Sequence, residues 1–265
     1  METEGRITLV RPGASRKLQR LNIHQETSDT PGMVGLFETF LRKFRTFSFT
    51  AFLSSIFVLG ILVMGISAAP GIYVFRWIYN HTLNWPDHLH ILAVGSGLFA
   101  GYALYGLSII FVAPFFNFAF RLKLKPWRGI WFSIEALPWF MHNALTYIVR
   151  YTFLEFLTPS PLNVLFYKMM GMKIGRGVVI NTTNISDPSL IELGDYVTIG
   201  GSAHLLAHYG QKGYLILSPV KIGNNTTIGL KASVMGGATV GADCSVKPHA
   251  VLLPKTTVPD GDSYE

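Results

Sequence analysis

The sequence predicts a chain in two parts, an α-helical transmembrane region followed by a triangular coil of short parallel strands. Two observations carry this. Two runs without a formal charge, Ser48 to Phe75 and Ile91 to Phe120, each exceed the roughly 20 apolar residues that cross a bilayer. Downstream, an aliphatic residue recurs at every sixth position: Ile222, Ile228, Val234, Val240, Val246, Leu252 and Val258. Composition agrees with a membrane half. Charged residues make up 14% of the 265, against about 25% in a typical soluble domain.

Residues 1–47 read as a basic tail, with Arg6, Arg11, Arg16, Lys17 and Arg20. The formal net charge is +7, and much of it lies in this tail or beside the apolar runs. That distribution points to a lipid bilayer as partner and not to nucleic acid. The single cysteine, Cys244, cannot form an internal disulfide and reads as a small core residue.

Residues 48–125 are expected to form two transmembrane helices. The first is too long and too far from the N-terminus for a cleaved signal peptide. Gly60, Gly65, Gly95, Ser96, Gly97 and Gly101 would let helices approach closely. Arg42, Lys43 and Arg45 precede the first run, and Arg121, Lys123, Lys125 and Arg128 follow the second. The connecting segment carries only Arg76 and Asp87, so the positive-inside rule puts both termini, and the C-terminal domain, in the cytoplasm. The compartment expected is an inner membrane of bacterial type.

Residues 126–171 are apolar but carry Arg128, Glu135, His142, Arg150 and Glu155, with Pro138 among them. Charges at this density disfavour a simple span. Interfacial amphipathic helices are expected, with Trp127, Trp131, Trp139 and Tyr147 at headgroup depth. A third span is the alternative, and it would move the C-terminal domain across the membrane.

Residues 172–262 hold the repeat. Four residues after each aliphatic comes a mostly small one: Thr226, Ala232, Ala238, Cys244, Ala250, Thr256. Upstream the rhythm appears at Ile174 and Ile180, then in a new phase at Leu193, Ile199 and Leu205. Three short strands of six residues each make a triangular coil, and stacked coils align the aliphatics in columns. An amphipathic helix would need period 3.6. The rhythm breaks over "LLAHYGQKGYLILSPVK", between Leu205 and Ile222, at a loop with Gly210 and Gly213.

The repeat resembles that of the hexapeptide-repeat acyltransferases, over roughly Met172 to Asp262. "ISDPSLIELGDYVTIGGSAHLLAH" followed by "PVKIGNNTTIG" is similar to the membrane-bound C-terminal domains of polymerising peptide synthetases of the polylysine-synthetase type. The resemblance is to those domains alone, without adenylation or carrier domains. It implies a left-handed parallel β-helix, a homotrimer, and a loop near a catalytic histidine. His208, at the break, matches that histidine, and a neutral imidazole near pH 7 can act as general base. His204 is read as structural, held in reserve as the base. His249 is read as surface, and Asp187 as an Asx turn ahead of Pro188.

The resemblance also implies acyl-coenzyme A (acetyl-CoA) as co-substrate. Its pantetheine arm would lie between neighbouring β-helices near Leu230, Pro248 and Lys255, with Lys231, Lys247 and Lys255 toward the nucleotide phosphates. In "GLKASVMGG", Leu230 and Met235 stand where the β-helix carbonic anhydrases carry zinc-binding histidines, so no metal is expected. The expected activity is transfer of an acyl group to a hydroxyl or amine of a lipid-linked, amphipathic or aminoacyl acceptor. Transfer from a carrier-protein thioester and a non-catalytic trimeric membrane scaffold are the alternatives.

Overall fold

In the computed structural model, residues 26–28, 31–131 and 133–265 are described. Most of the basic tail, including its five named cations, lies outside them. Three helices come first: α1 (Gly32–Lys43), α2 (Arg45–Thr82) and α3 (Asp87–Ala119). Of these, α2 and α3 are long and apolar enough to cross a membrane, by length and composition. They form an antiparallel pair joined by a short turn. They pack closely at Gly71 and Gly101, where a Cβ on Gly71 would run into the Gly101 carbonyl oxygen. Gly60 and Gly97 face Ile148 and Ile78, whereas Gly65 and Gly95 meet nothing.

The chain then makes strand β1 (Trp127–Ile130), helix α4 (Leu137–Thr152) and, after Ser160 caps it by accepting the Leu162 amide, helix α5 (Pro161–Met169). Both helices bury polar side chains, some of them against the repeat. Buried on α4 are Trp139, His142, Asn143 and Thr146. On α5, Asn163 donates to the Ile180 carbonyl, and the buried Tyr167 hydroxyl donates to the Thr183 carbonyl.

The repeat forms a left-handed parallel β-helix with three sheets as its sides. Its first two coils contain β2 (Lys173–Ile174), β3 (Val179–Ile180), β4 (Ile185–Ser186), β5 (Ile191–Leu193), β6 (Thr198–Ile199) and β7 (His204–Leu206). The later coils repeat the pattern from Val220 to Tyr264. Ile222 pairs with Val240 and Val240 with Val258, a step of 18 residues. Ile228 pairs with Val246 on the second side, and Val234 with Leu252 on the third. The six-residue rhythm visits the three sides in turn. All seven of its aliphatics are at most 3% exposed, each worth about 1.5–3 kcal/mol of burial. Thr226, Ala232, Ala238, Cys244 and Ala250 are buried at the corners, where a larger side chain has no room.

The two phases in the sequence have a structural cause. Ile174 pairs with Leu193 and Ile185 with Leu205, steps of 19 and 20, so the first coil carries extra residues. Leu193 pairs with Ile222, a step of 29. The surplus is a hairpin, β8 (His208–Gln211) and β9 (Tyr214–Leu217), which leaves the coil. Its two-residue turn, Lys212 and Gly213, has φ of 50° and 81°, the left-handed pair a tight hairpin needs. Strand β1 adds to β9 antiparallel, and Arg128 lies over the Tyr214 ring at 4.7 Å.

Candidate active site

The irregular first coils and the helical layer meet at one histidine. His208 opens β8, and its Nδ1 lies 2.5 Å from Oδ2 of Asp187. The Asp187 side chain is fully buried and that of His208 is 19% exposed. A carboxylate accepts, so Nδ1 carries the proton and donates it, which leaves the lone pair on Nε2.

Asp187 is held by α4. Trp139 Nε1–H and Asn143 Nδ2–H both donate to its Oδ1, at 2.7 and 2.8 Å. The Asp187 amide in turn donates to Asn143 Oδ1 at 3.3 Å. The Asp187 backbone is left-handed, φ 60° and ψ 48°, which is uncommon outside glycine but within reach of Asp. The expected Asx turn is not formed, because this side chain caps nothing in the 3-10 turn that follows. A buried carboxylate must be satisfied, and here three donors do so.

Trp139 packs against His208. It is 8% exposed, and its ring meets the His208 ring edge-to-face at 5.0 Å. An indole N–H needs an acceptor when buried, and Asp187 is that acceptor. Tyr147 also faces the β-helix, its hydroxyl 2.8 Å from Ser186 Oγ, and burial pushes its pKa up. Further along, Arg150 donates to Asn184 and Thr183 to Glu155, so β4 and its flanks are tied to the helices at four points.

A second layer lies behind Asp187. His142 is wholly buried on α4, with Nδ1 2.7 Å from Oδ1 of Asn117 on α3. Burial pushes its pKa down to about 4, against the opposing pull of the Asp187 charge. Near neutral pH it is an uncharged donor that links the second apolar helix to the helix holding Asp187.

The other sequence candidates are dispersed. His204 lies on β7, exposed on the outer face of the third sheet, beside Ser233 of the next coil. All three side-chain bonds of Asp187 go elsewhere. Leu230, Lys231, Lys247 and Pro248 are exposed at one corner, with His249 next to them in the left-handed conformation. Lys255 is exposed at another corner, where its amide donates to the Gly236 carbonyl. That second corner is the one nearest the histidine: a Cβ on Gly236 would stand 3.1 Å from the His208 amide nitrogen. Among the described residues, no group of three or more His, Cys, Asp or Glu is placed to hold a metal ion.

Residues 217–254 match the family described as bacterial transferase hexapeptide (six repeats). Over 111 residues the chain is 24% identical to delta-poly-L-ornithine synthetase of Acinetobacter baumannii, covering 42% of this chain and 8% of that one. Over 99 residues it is 31% identical to a probable acetyltransferase of Mycobacterium tuberculosis, covering 34% and 32%. The chain therefore spans under a third of the length of either relative. Among solved structures, serine acetyltransferase of Neisseria gonorrhoeae is similar at 16% identity and TM-score 0.36, over 61% of this chain and 51% of that one. Maltose O-acetyltransferase of Clostridium difficile is similar at 17% and 0.33, over 43% and 77%. Residues 217–254 therefore carry the hexapeptide repeat of that family, within the β-helix that the strand pairing describes.

Proposed function

We propose that this chain is an integral-membrane acyltransferase that uses His208 as general base. The observation that carries the reading is the bond from His208 Nδ1 to a buried carboxylate, with Nε2 left as a lone-pair base beside the loop. Nε2 takes the proton from an acceptor hydroxyl or amine as its oxygen or nitrogen attacks the thioester carbonyl. The new ester or amide bond forms, the carbon–sulfur bond breaks, and the imidazolium returns the proton to the departing thiolate. Asp187 stabilises the imidazolium and fixes the tautomer, a division of labour worth several orders of magnitude where it has been dissected. No covalent enzyme intermediate is needed.

Acyl-CoA, acetyl-CoA by default, is the proposed donor. Lys255 shares the His208 corner, whereas Leu230, Lys231, Lys247 and Pro248 share the next. In a homotrimer, corners of neighbouring chains can face one groove and hold the same donor arm. The acceptor is a membrane-associated or amphipathic molecule, with α2 and α3 as spans and α4 and α5 at the cytoplasmic membrane face. A second reading, transfer from a carrier-protein thioester with an aminoacyl acceptor, is supported by the similarity to a segment of delta-poly-L-ornithine synthetase.

Thiol release from acetyl-CoA by the purified full chain, with lipid extract and a panel of alcohols and amines, tests the reaction. No release with any acceptor, together with no stabilisation by coenzyme A, would sink the acyl-CoA reading. Native mass spectrometry in detergent should give a trimer. A reporter fused after Glu265 should be cytoplasmic, and a cysteine at Asn84 should react with an impermeant reagent from outside; an outward C-terminus removes acyl-CoA as donor.

A further inference from the structure

Two hydroxyls near the start of α2 have no partner among the described residues. Ser48 Oγ and Ser133 Oγ are buried without a hydrogen bond, in side chains 8% and 4% exposed. Both line the same small cavity, of about 30 Å³, with Phe49, Phe52, Trp131 and Phe140 among its walls. Ser48 comes from α2 and Ser133 from the turn before α4, so the cavity lies where the apolar helices meet the layer that holds Asp187. A buried hydroxyl left unpaired lowers stability, and two of them opening on one cavity are not accounted for by the packing around them.

The cavity defines the chemistry of its occupant. Among the described residues, none of its lining side chains is charged, so an ionised group would lose its water without gaining a counter-charge. Its volume suits a single hydroxyl-sized group. Phe49, which lines it, begins a row on α2 with Leu53 and Phe57 at intervals of four, 39%, 38% and 65% exposed. That face belongs to a helix long and apolar enough to cross a bilayer.

We propose that this cavity binds the uncharged hydroxyl end of a membrane amphiphile, whose chain lies along the Phe49–Leu53–Phe57 face of α2. The inference rests on the reading of α2 as a membrane span. Ser48 and Ser133 supply both a donor and an acceptor to the hydroxyl. The aromatic walls continue to the active site: Trp131 meets Trp139 edge-to-face at 5.6 Å, and Trp139 meets His208. Trp131 lines the cavity and His208 does not, so the cavity anchors the amphiphile and does not present it to Nε2.

Photolabelling of the full chain in nanodiscs tests this. The probe is dodecan-1-ol with a diazirine near the hydroxyl end, mapped by peptide mass spectrometry. Label is expected on the peptides carrying Phe49, Phe52 and Phe140. The double variant Ser48→Ala, Ser133→Ala should cut it by about tenfold, each lost hydrogen bond contributing about two- to tenfold. Dodecanoate with the same diazirine should label the outer faces of α2 and α3 and spare the cavity. Label spread evenly over both helices, indifference to the serine changes, or equal labelling by the carboxylate would overturn the proposal. Without probe, the double variant should melt at or above the wild-type temperature, because its lost hydroxyls had no partners. A fall of several degrees would show that they serve the fold alone. None of these readouts measures acyl transfer, so the role of His208 stands or falls separately.

Discussion

The last coils of the β-helix and the first coils have the same three sides, yet only the first carry a buried charge. From Val220 to Tyr264 each step along a column is 18 residues, and outward positions are exposed serines, threonines, valines and lysines. From Lys173 to Leu217 the steps are 19, 20 and 29, and the surplus residues include Asp187 and the hairpin that begins at His208. The regular coils bury their aliphatics against one another. The irregular coils are packed by α4, α5 and β1. Repetition builds a stiff frame, and the proposed reacting pair is placed where repetition fails and non-repeating elements supply donors.

The sharpest test of that contrast is to remove the pair and leave the frame. His208→Ala should lower turnover by about 10²- to 10⁴-fold, the usual worth of a positioned general base. Asp187→Asn should act in the same direction, because an amide can hold the imidazole in the wrong tautomer. Both variants should assemble as wild type does, measured by native mass spectrometry. Normal turnover in both would place any chemistry elsewhere.

The converse variant damages the frame and spares the pair. Leu252 is fully buried in a late coil, paired with Val234. Leu252→Ala should cost about 2–5 kcal/mol of stability, read by denaturant melts of the β-helix signal. Turnover at low temperature should stay within about twofold, since Leu252 lies inside a late coil, paired with Val234. A large loss of turnover in the folded variant would mean that the coils transmit more than stiffness.

A pH experiment isolates the helical layer. His142 has an ordinary pKa of 6.5 when unfolded and about 4 in place, because burial disfavours its charge. Between those values the unfolded chain holds a proton that the folded chain lacks, so this contribution is complete above pH 6.5 and lost as pH falls toward 4. The loss amounts to about 3 kcal/mol and is flat below that range. His142→Leu should flatten the slope of melting temperature between pH 6.5 and 4. An unchanged slope would assign the acid sensitivity to other groups.

The two regions also differ in how well the sequence discloses them. The late coils are legible to the residue, since one side chain in six must be aliphatic and any other choice would show. His208 was legible as the histidine at the break. Its partner was not, because "SDPS" is a common turn signature and nothing local distinguishes a buried Asp from a capping one. The signal lay on another element. Trp139, His142, Asn143, Thr146 and Arg150 recur at helical intervals in an otherwise apolar stretch. Such a stripe marks a helix face with buried polar partners, where density of charge and aromatic residues alone suggests a membrane surface.

That stripe can be tested at Asn143, which donates to the carboxylate oxygen that His208 does not use. Asn143→Leu leaves Trp139 as the one side-chain donor to Oδ1 and removes the acceptor of the Asp187 amide. Turnover should fall by about tenfold, with a stability cost of about 1–3 kcal/mol for the groups left unpaired. The pH profile of turnover should shift as well, since the carboxylate that faces the imidazole has lost a donor. A stability loss with an unmoved pH profile would reduce Asn143 to packing.

The smallest effect is expected at His204, and it bears directly on which histidine the fold selects. His204 and His208 are four residues apart, and both belong to the irregular coils. The coil turns between them. His204 is exposed on β7, in register with Ser233, and its amide donates to the Ala232 carbonyl of the next coil as the repeat requires. It therefore behaves as an outward position of the frame. His208 begins the departure from the coil, and only there does a ring meet the carboxylate that α4 holds. His204→Ala should change turnover by less than about threefold and stability by no more than about 0.5 kcal/mol, as at other exposed sites. Initial rates of thiol release, compared at saturating and limiting acceptor, decide it. If His204→Ala abolishes turnover while His208→Ala retains it, the base lies on the frame, and the distinction between regular and irregular coils loses its chemical meaning.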